Sequence, residues 1–105
     1  MFFEDFRSMV IVLKKGASEL RRVQFFVPGA ADEKFMLAGS FNDWSPELAV
    51  MKFDPVRGGH VFSLELAPGE YEYKFVCGDR WFSDNDNPNF ASNDFGTLNS
   101  VLSVE

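Results

Sequence analysis

Two tryptophans, one lysine and a set of amides carry most of the chemistry this sequence could perform. Trp44 stands in GSFNDWSP among turn formers, flanked by Asn42, Asp43, Ser45 and Pro46. A ring there either folds over the edge of a core or offers a stacking surface. Exposing it costs apolar hydration, which points to a use. Trp81 follows the tight turn at Gly78-Asp79, and Phe82 beside it must face the other way, so one of the two is core. Lys74 lies on the outward face of the preceding strand, so the hairpin from Tyr73 to Phe82 can bring Lys74 and Trp81 onto one surface. Aromatic platforms with a lysine and amide donors suit a neutral sugar. Its C–H face stacks on indole, and its hydroxyl rim needs convergent hydrogen-bond partners.

Other chemistries find little support. The single histidine, His60, follows a Gly-Gly turn at a strand start and reads as a surface or turn residue. Without a second histidine, no Ser-His or Cys-His pairing can be built except through it. One His and one Cys do not make a zinc site. In SDNDNPNFASND, Asp84 and Asp86 have the i, i+2 spacing of a calcium loop. However, Pro88, Asn89 and Phe95 occupy the next ligand position, the glycine position and the bidentate glutamate position. These Asn and Asp residues are better read as turns folded onto their own backbone. The remaining carboxylates fall on outward strand positions and in loops and read as a solvated surface. No glycine pair has the spacing of a phosphate-cradling loop. No catalytic residue, metal or cofactor is expected.

The elements that must position these residues are all strands. Short β-rich runs alternate with clusters of Gly, Pro, Asn and Asp. The runs are Met9–Lys14, Arg21–Val27, Lys34–Ala38, Ala49–Phe53, His60–Leu66, Tyr71–Cys77, Arg80–Phe82 and Ser100–Val104. The polar stretch from Ser83 to Asp94 reads as punctuation. Alternation gives each long strand a core face. Phe62, Leu64 and Leu66 share one face of HVFSLEL. Tyr71, Tyr73, Phe75 and Cys77 share one face of YEYKFVC, opposite Glu72, Lys74 and Val76. One apolar and one wetter face per strand is the pattern of an all-β, two-sheet sandwich. Residues 1–20 read as an N-terminal arm with a candidate first strand, and 21–105 as the sandwich. Phe2, Phe3 and Phe6 lie among acids in that arm and read as a frayed end or a docking segment.

At 105 residues the chain is one ordinary domain, able to bury a core without disulfides. Its longest apolar run, Met9 to Leu13, is far short of the roughly 20 residues a membrane span needs, so no membrane partner is expected. Acids in MFFEDF argue against a secretory signal, and the lone Cys77 fits a reducing compartment, so a cytoplasmic location is expected. A formal charge of −6 repels polyanions and disfavours nucleic acid as a partner, but not a neutral ligand. An edge strand beside an aromatic arm is compatible with a homodimer or a partner enzyme as well as with a monomer.

Taken together, FMLAGSFNDWSP, LAPGEYEYKFVCGDRWFSD and FGTLNSVLSV resemble the family 48 carbohydrate-binding modules, in order and in spacing, over about residues 21–104. That family includes the glycogen-binding domain of AMP-activated protein kinase β subunits and the N-terminal early-set domains of isoamylases and branching enzymes. The resemblance implies an immunoglobulin-like (early-set) β-sandwich that binds α-1,4-glucans such as glycogen, starch or maltooligosaccharides without turning them over. Position by position it implies that Trp44 and Trp81 stack on sugar, that Lys74 bonds sugar hydroxyls, and that Thr97 and Asn99 close the site. Phe95 takes the place of a leucine that pokes through a sugar ring in the kinase subunit, so a flat ring would stack where leucine threads. The rival expectation is a regulatory or protein-interaction sandwich with a vestigial sugar site.

Overall fold

A computed structural model describes residues 9–13 and 20–105. The arm phenylalanines Phe2, Phe3 and Phe6 lie outside these residues. The strands are β1 (Met9–Leu13), β2 (Arg21–Pro28), β3 (Phe35–Gly39), β4 (Lys52–Asp54), β5 (Gly59–Leu66), β6 (Gly69–Cys77), β7 (Arg80–Phe82), β8 (Phe90–Ser92) and β9 (Leu98–Val104). They form two antiparallel sheets. One has the order β1-β2-β5-β4, and the other β3-β6-β9-β8 with β7 paired to β6. This is the expected two-sheet sandwich.

Alternation decides what meets between the sheets. Val23, Phe25 and Val27 of β2 face Leu37 of β3 and Tyr73 and Phe75 of β6, and all are buried. The ring of Phe25 meets Tyr73 edge-on, with centroids 5.1 Å apart, and Tyr73 meets Phe75 at 5.9 Å in the same manner. Each fully buried ring contributes roughly 1.5–3 kcal/mol by leaving water. Leu66 is buried too, while Phe62, Leu64, Tyr71 and Cys77 pack against the cluster from its margins, on the faces that alternation assigned.

His60 corrects the reading of it as a surface or turn residue. It shares its face of β5 with Phe62, Leu64 and Leu66, so the strand's own period carries it inward. It is only 2% exposed and sits against Phe35 (centroids 4.6 Å apart) and Phe53 (5.3 Å). Its Nε2 donates to the Ala30 carbonyl at 2.8 Å. Because a carbonyl only accepts, Nε2 carries the proton.

The run Ala49–Phe53 also differs from a single strand. Val50 bridges Met36 in one sheet, whereas Lys52–Asp54 pair with β5 in the other, so this segment crosses between the sheets. Strand β8 emerges from the stretch read as punctuation, because Phe90, Ala91 and Ser92 pair with Ser100, Asn99 and Leu98 of β9. Asp84 departs from the solvated-surface reading of the carboxylates. It is buried, and its Oδ2 accepts from the Tyr73 hydroxyl at 2.9 Å. Its Oδ1 accepts from the Asp86 amide at 3.1 Å, the folded-back turn expected there.

Candidate functional site

The outward face of the β3-β6-β9-β8 sheet carries a cavity of about 720 Å³. Its floor follows from register. Glu70, Glu72, Lys74 and Val76 alternate along the outer face of β6, opposite the inward Tyr71, Tyr73 and Phe75. Trp81 of β7 pairs directly with Val76, which puts its indole on the same face as Lys74. Both line the cavity, as the hairpin reading anticipated. Trp81 remains 47% exposed, while Phe82 turns inward against Phe35 and Phe75.

Trp44 arrives from the connection after β3. Gly39 is the last residue of that strand, and a side chain is excluded there because a Cβ would meet the Glu72 carbonyl at 2.6 Å. A short 3-10 turn, Ser40–Asn42, follows. Asn42 ties it down: its Oδ1 accepts from the Gly39 amide at 3.0 Å, and its Nδ2 donates to the Leu37 carbonyl at 2.9 Å. Asp43 and Trp44 both adopt left-handed backbone, each with φ 58°. For non-glycine residues this costs roughly 1–2 kcal/mol apiece. The bond from the Trp44 amide to the Gly39 carbonyl (2.9 Å) helps hold it. Trp44 is half-buried and lines the cavity. Strain held beside a pocket is a recurrent mark of functional sites.

The far wall is the β8–β9 hairpin, and Asn93 organises it. Its Oδ1 accepts from the Phe95 amide (2.9 Å) and the Thr97 amide (3.1 Å). Its Nδ2 donates to Thr97 Oγ1 (2.8 Å) and Asn99 Oδ1 (3.0 Å). Gly96, at φ 79°, completes the turn in a conformation glycine adopts freely. Phe95 lines the cavity and is 89% exposed at the tip. Asn99 is buried in the wall and donates through Nδ2 to Glu72 Oε1 at 2.9 Å.

Lys74 is only 9% exposed, and its Nζ donates to Thr97 Oγ1 at 2.8 Å. The lysine therefore sits deep, with Thr97 fastened above it. Thr97 Oγ1 already accepts from both Lys74 and Asn93, which spends its lone pairs and leaves its O–H to donate. Trp44, Lys74, Trp81, Phe95 and Asn99 all line one cavity, and Thr97 joins it through Lys74. The sequence does not mark Asn93 or Glu72 as site residues: Asn93 lies among turn formers, and strand alternation places Glu72 on the outward face without giving it a partner.

The family described as "Glycogen recognition site of AMP-activated protein kinase" matches residues 28–105. The 5'-AMP-activated protein kinase subunit beta-1 of Sus scrofa is 30% identical over 91 residues, covering 87% of this chain and 70% of that protein. The beta-1 subunit of Rattus norvegicus is 30% identical over 94 residues, covering 90% of this chain and 33% of the subunit. Protein FLOURY ENDOSPERM 6, chloroplastic, of Oryza sativa subsp. japonica is 34% identical over 91 residues, covering 87% of this chain and 16% of that protein. The chain thus spans a third or less of the latter two relatives.

Proposed function

The chain belongs to the family of the glycogen recognition site of AMP-activated protein kinase, and on that premise we propose that it is a non-catalytic module binding α-1,4-glucan through Trp44, Trp81 and a polar rim. The observation that carries this reading is the convergence of two indoles, a deep lysine and Asn99 on one cavity of about 720 Å³. That size falls within the range of roughly 300–1,000 Å³ usual for small-ligand sites. The indoles offer flat apolar surfaces to the C–H faces of glucosyl rings. The Thr97 hydroxyl donates, and Asn99 and Glu72 retain lone pairs for sugar hydroxyls. Phe95 adds a third ring at the tip. Binding rather than turnover is favoured because the matching family is described as a recognition site. The relatives named as kinase subunits extend the proposal to a partner enzyme that the module would bring to glucan.

Calorimetry with maltoheptaose or β-cyclodextrin, alongside a glycogen pull-down, tests this. The expected dissociation constant is roughly 10 µM to 1 mM, because a shallow stacked site must offset the lost freedom of the ligand. Added salt should change it little, since the ligand is uncharged. No binding at millimolar glucan would hand the case to a protein-interaction role. Release of reducing sugar above a heat-killed control would overturn the non-catalytic assignment.

A further inference from the structure

Resting on that reading, we infer that the cavity selects uncharged glucans and rejects phosphorylated or otherwise anionic ones. The reason lies in which charges the fold brings to it. Among the described residues, three carboxylates line the cavity, Glu70, Glu72 and Asp94, against one ammonium, Lys74, so their net charge is −2. The imbalance is built into β6, whose outer face reads Glu70, Glu72, Lys74 in consecutive outward positions.

The ammonium is poorly placed to capture an anion. Lys74 is nearly buried, and one of the three donors on its Nζ goes to Thr97 Oγ1 at 2.8 Å, so the ammonium lies behind the rim rather than at the mouth. Glu70 and Asp94 are exposed, as a field acting on an arriving ligand requires. Glu72 is held in place as an acceptor by Asn99 Nδ2 at 2.9 Å. The chain as a whole adds to the repulsion, with a formal charge of −6. A neutral glucosyl hydroxyl is indifferent to this field and gains acceptors from it. A phosphate monoester carries about −1.5 to −2 at neutral pH. Placed several ångströms from two or three carboxylates in a wet cavity, it should lose about tenfold in affinity at low salt. Screening should remove most of that loss once the Debye length falls to about 3 Å, near 1 M salt.

The test compares maltoheptaose with maltoheptaose phosphorylated at one O6, by calorimetry on the full chain, at low and high sodium chloride. The expected result is about tenfold weaker binding of the phosphorylated ligand at low salt, narrowing to about twofold near 1 M. Glu70→Gln combined with Asp94→Asn should narrow the gap at low salt, the gap being read as the ratio of the two ligands' affinities for the same variant. Equal or tighter binding of the phosphorylated ligand at low salt overturns the inference and makes Lys74 an anion anchor. A gap that survives both high salt and the double substitution overturns it too, because exclusion is then steric. Failure of maltoheptaose itself to bind overturns the glucan reading and this inference with it. Absence of discrimination in the unsubstituted chain at low salt, with maltoheptaose still bound, overturns this inference alone.

Discussion

Trp81 and Trp44 occupy different environments, and their substitutions should separate accordingly. Trp81 is 47% exposed on a strand whose inward neighbour, Phe82, packs with the core, so its indole is offered rather than stored. Trp81→Ala should weaken glucan binding by about 1–3 kcal/mol, the range for an aromatic anchor, and change stability by under about 0.5 kcal/mol. Trp44 is half-buried on a left-handed backbone, so Trp44→Ala should cost a similar amount in binding and somewhat more in melting temperature. Isothermal titration beside thermal melts of each variant checks both. Loss of cooperative melting in both would make the rings core residues. Lys74→Ala should cost less than either tryptophan directly, but it also frees Thr97 Oγ1 from one of its two donors.

At the scale of the element, the β8–β9 hairpin decides whether the rim exists. Four hydrogen bonds from one side chain, Asn93, fix the amides of Phe95 and Thr97 together with the side chains of Thr97 and Asn99. Asn93→Ala should reduce glucan affinity about tenfold while lowering stability by only about 1 kcal/mol, since the net worth of an exposed hydrogen bond is small. Asn93→Asp keeps the acceptor that shapes the turn but loses both donors, so its affinity should fall between the two. Calorimetry and melts of the pair report this, and equal affinity in all three proteins would show that the turn forms without Asn93. The hairpin was also the least legible element. Phe90–Ser92 is too short to show alternation, and its neighbours Pro88, Asn89 and Asn93 are turn formers. Its strand character comes from pairing with Leu98–Ser100, a contact that no local pattern records. By contrast, the long strands β5 and β6 carry enough alternating residues to fix their inner and outer faces, and with them the outward position of Lys74.

Across the whole molecule, the Tyr73–Asp84 pair stitches the loop after β7 to the core. The Tyr73 hydroxyl donates to Asp84 Oδ2 and accepts from Asn87 Nδ2 at 3.1 Å, while Ser100 Oγ accepts from the Asp84 amide at 2.7 Å. Burial first, and the Asp84 carboxylate second, push the Tyr73 phenol above its ordinary value near 10. Below that value the phenol is protonated in both folded and unfolded chains and adds no pH dependence. Above it the unfolded chain loses the proton while the folded chain keeps it, so rising pH favours unfolding. Chemical denaturation between pH 8 and 11 should therefore show stability falling above about pH 10, with Tyr73 contributing a slope of up to roughly 1.4 kcal/mol per pH unit. Tyr73→Phe should lower stability at neutral pH by about 1–3 kcal/mol, by leaving Asp84 short of a donor, yet flatten the alkaline slope. An unchanged slope in the variant would mean that other groups carry it.

Residue types and the period of two were sufficient to read an all-β sandwich, to divide Tyr73 and Phe75 from Lys74, and to set Trp81 against Phe82. Those properties follow from local geometry, since successive strand residues point to opposite faces whatever the partner strand. Which distant segments meet was decided by folding. The segment through Val50 leaves one sheet for the other, and Phe35 and Phe53 close over His60, whose inward direction the strand period already sets. Asp84 is spent on Tyr73, and Asn93 gathers Thr97 and Asn99 against Glu72 and Lys74. Each is a pairing whose free energy depends on burial and on partners far along the chain. The aromatic and lysine components of the candidate site are therefore visible in the residues, while its cavity and the charges gathered around it arise only when the sheets are assembled.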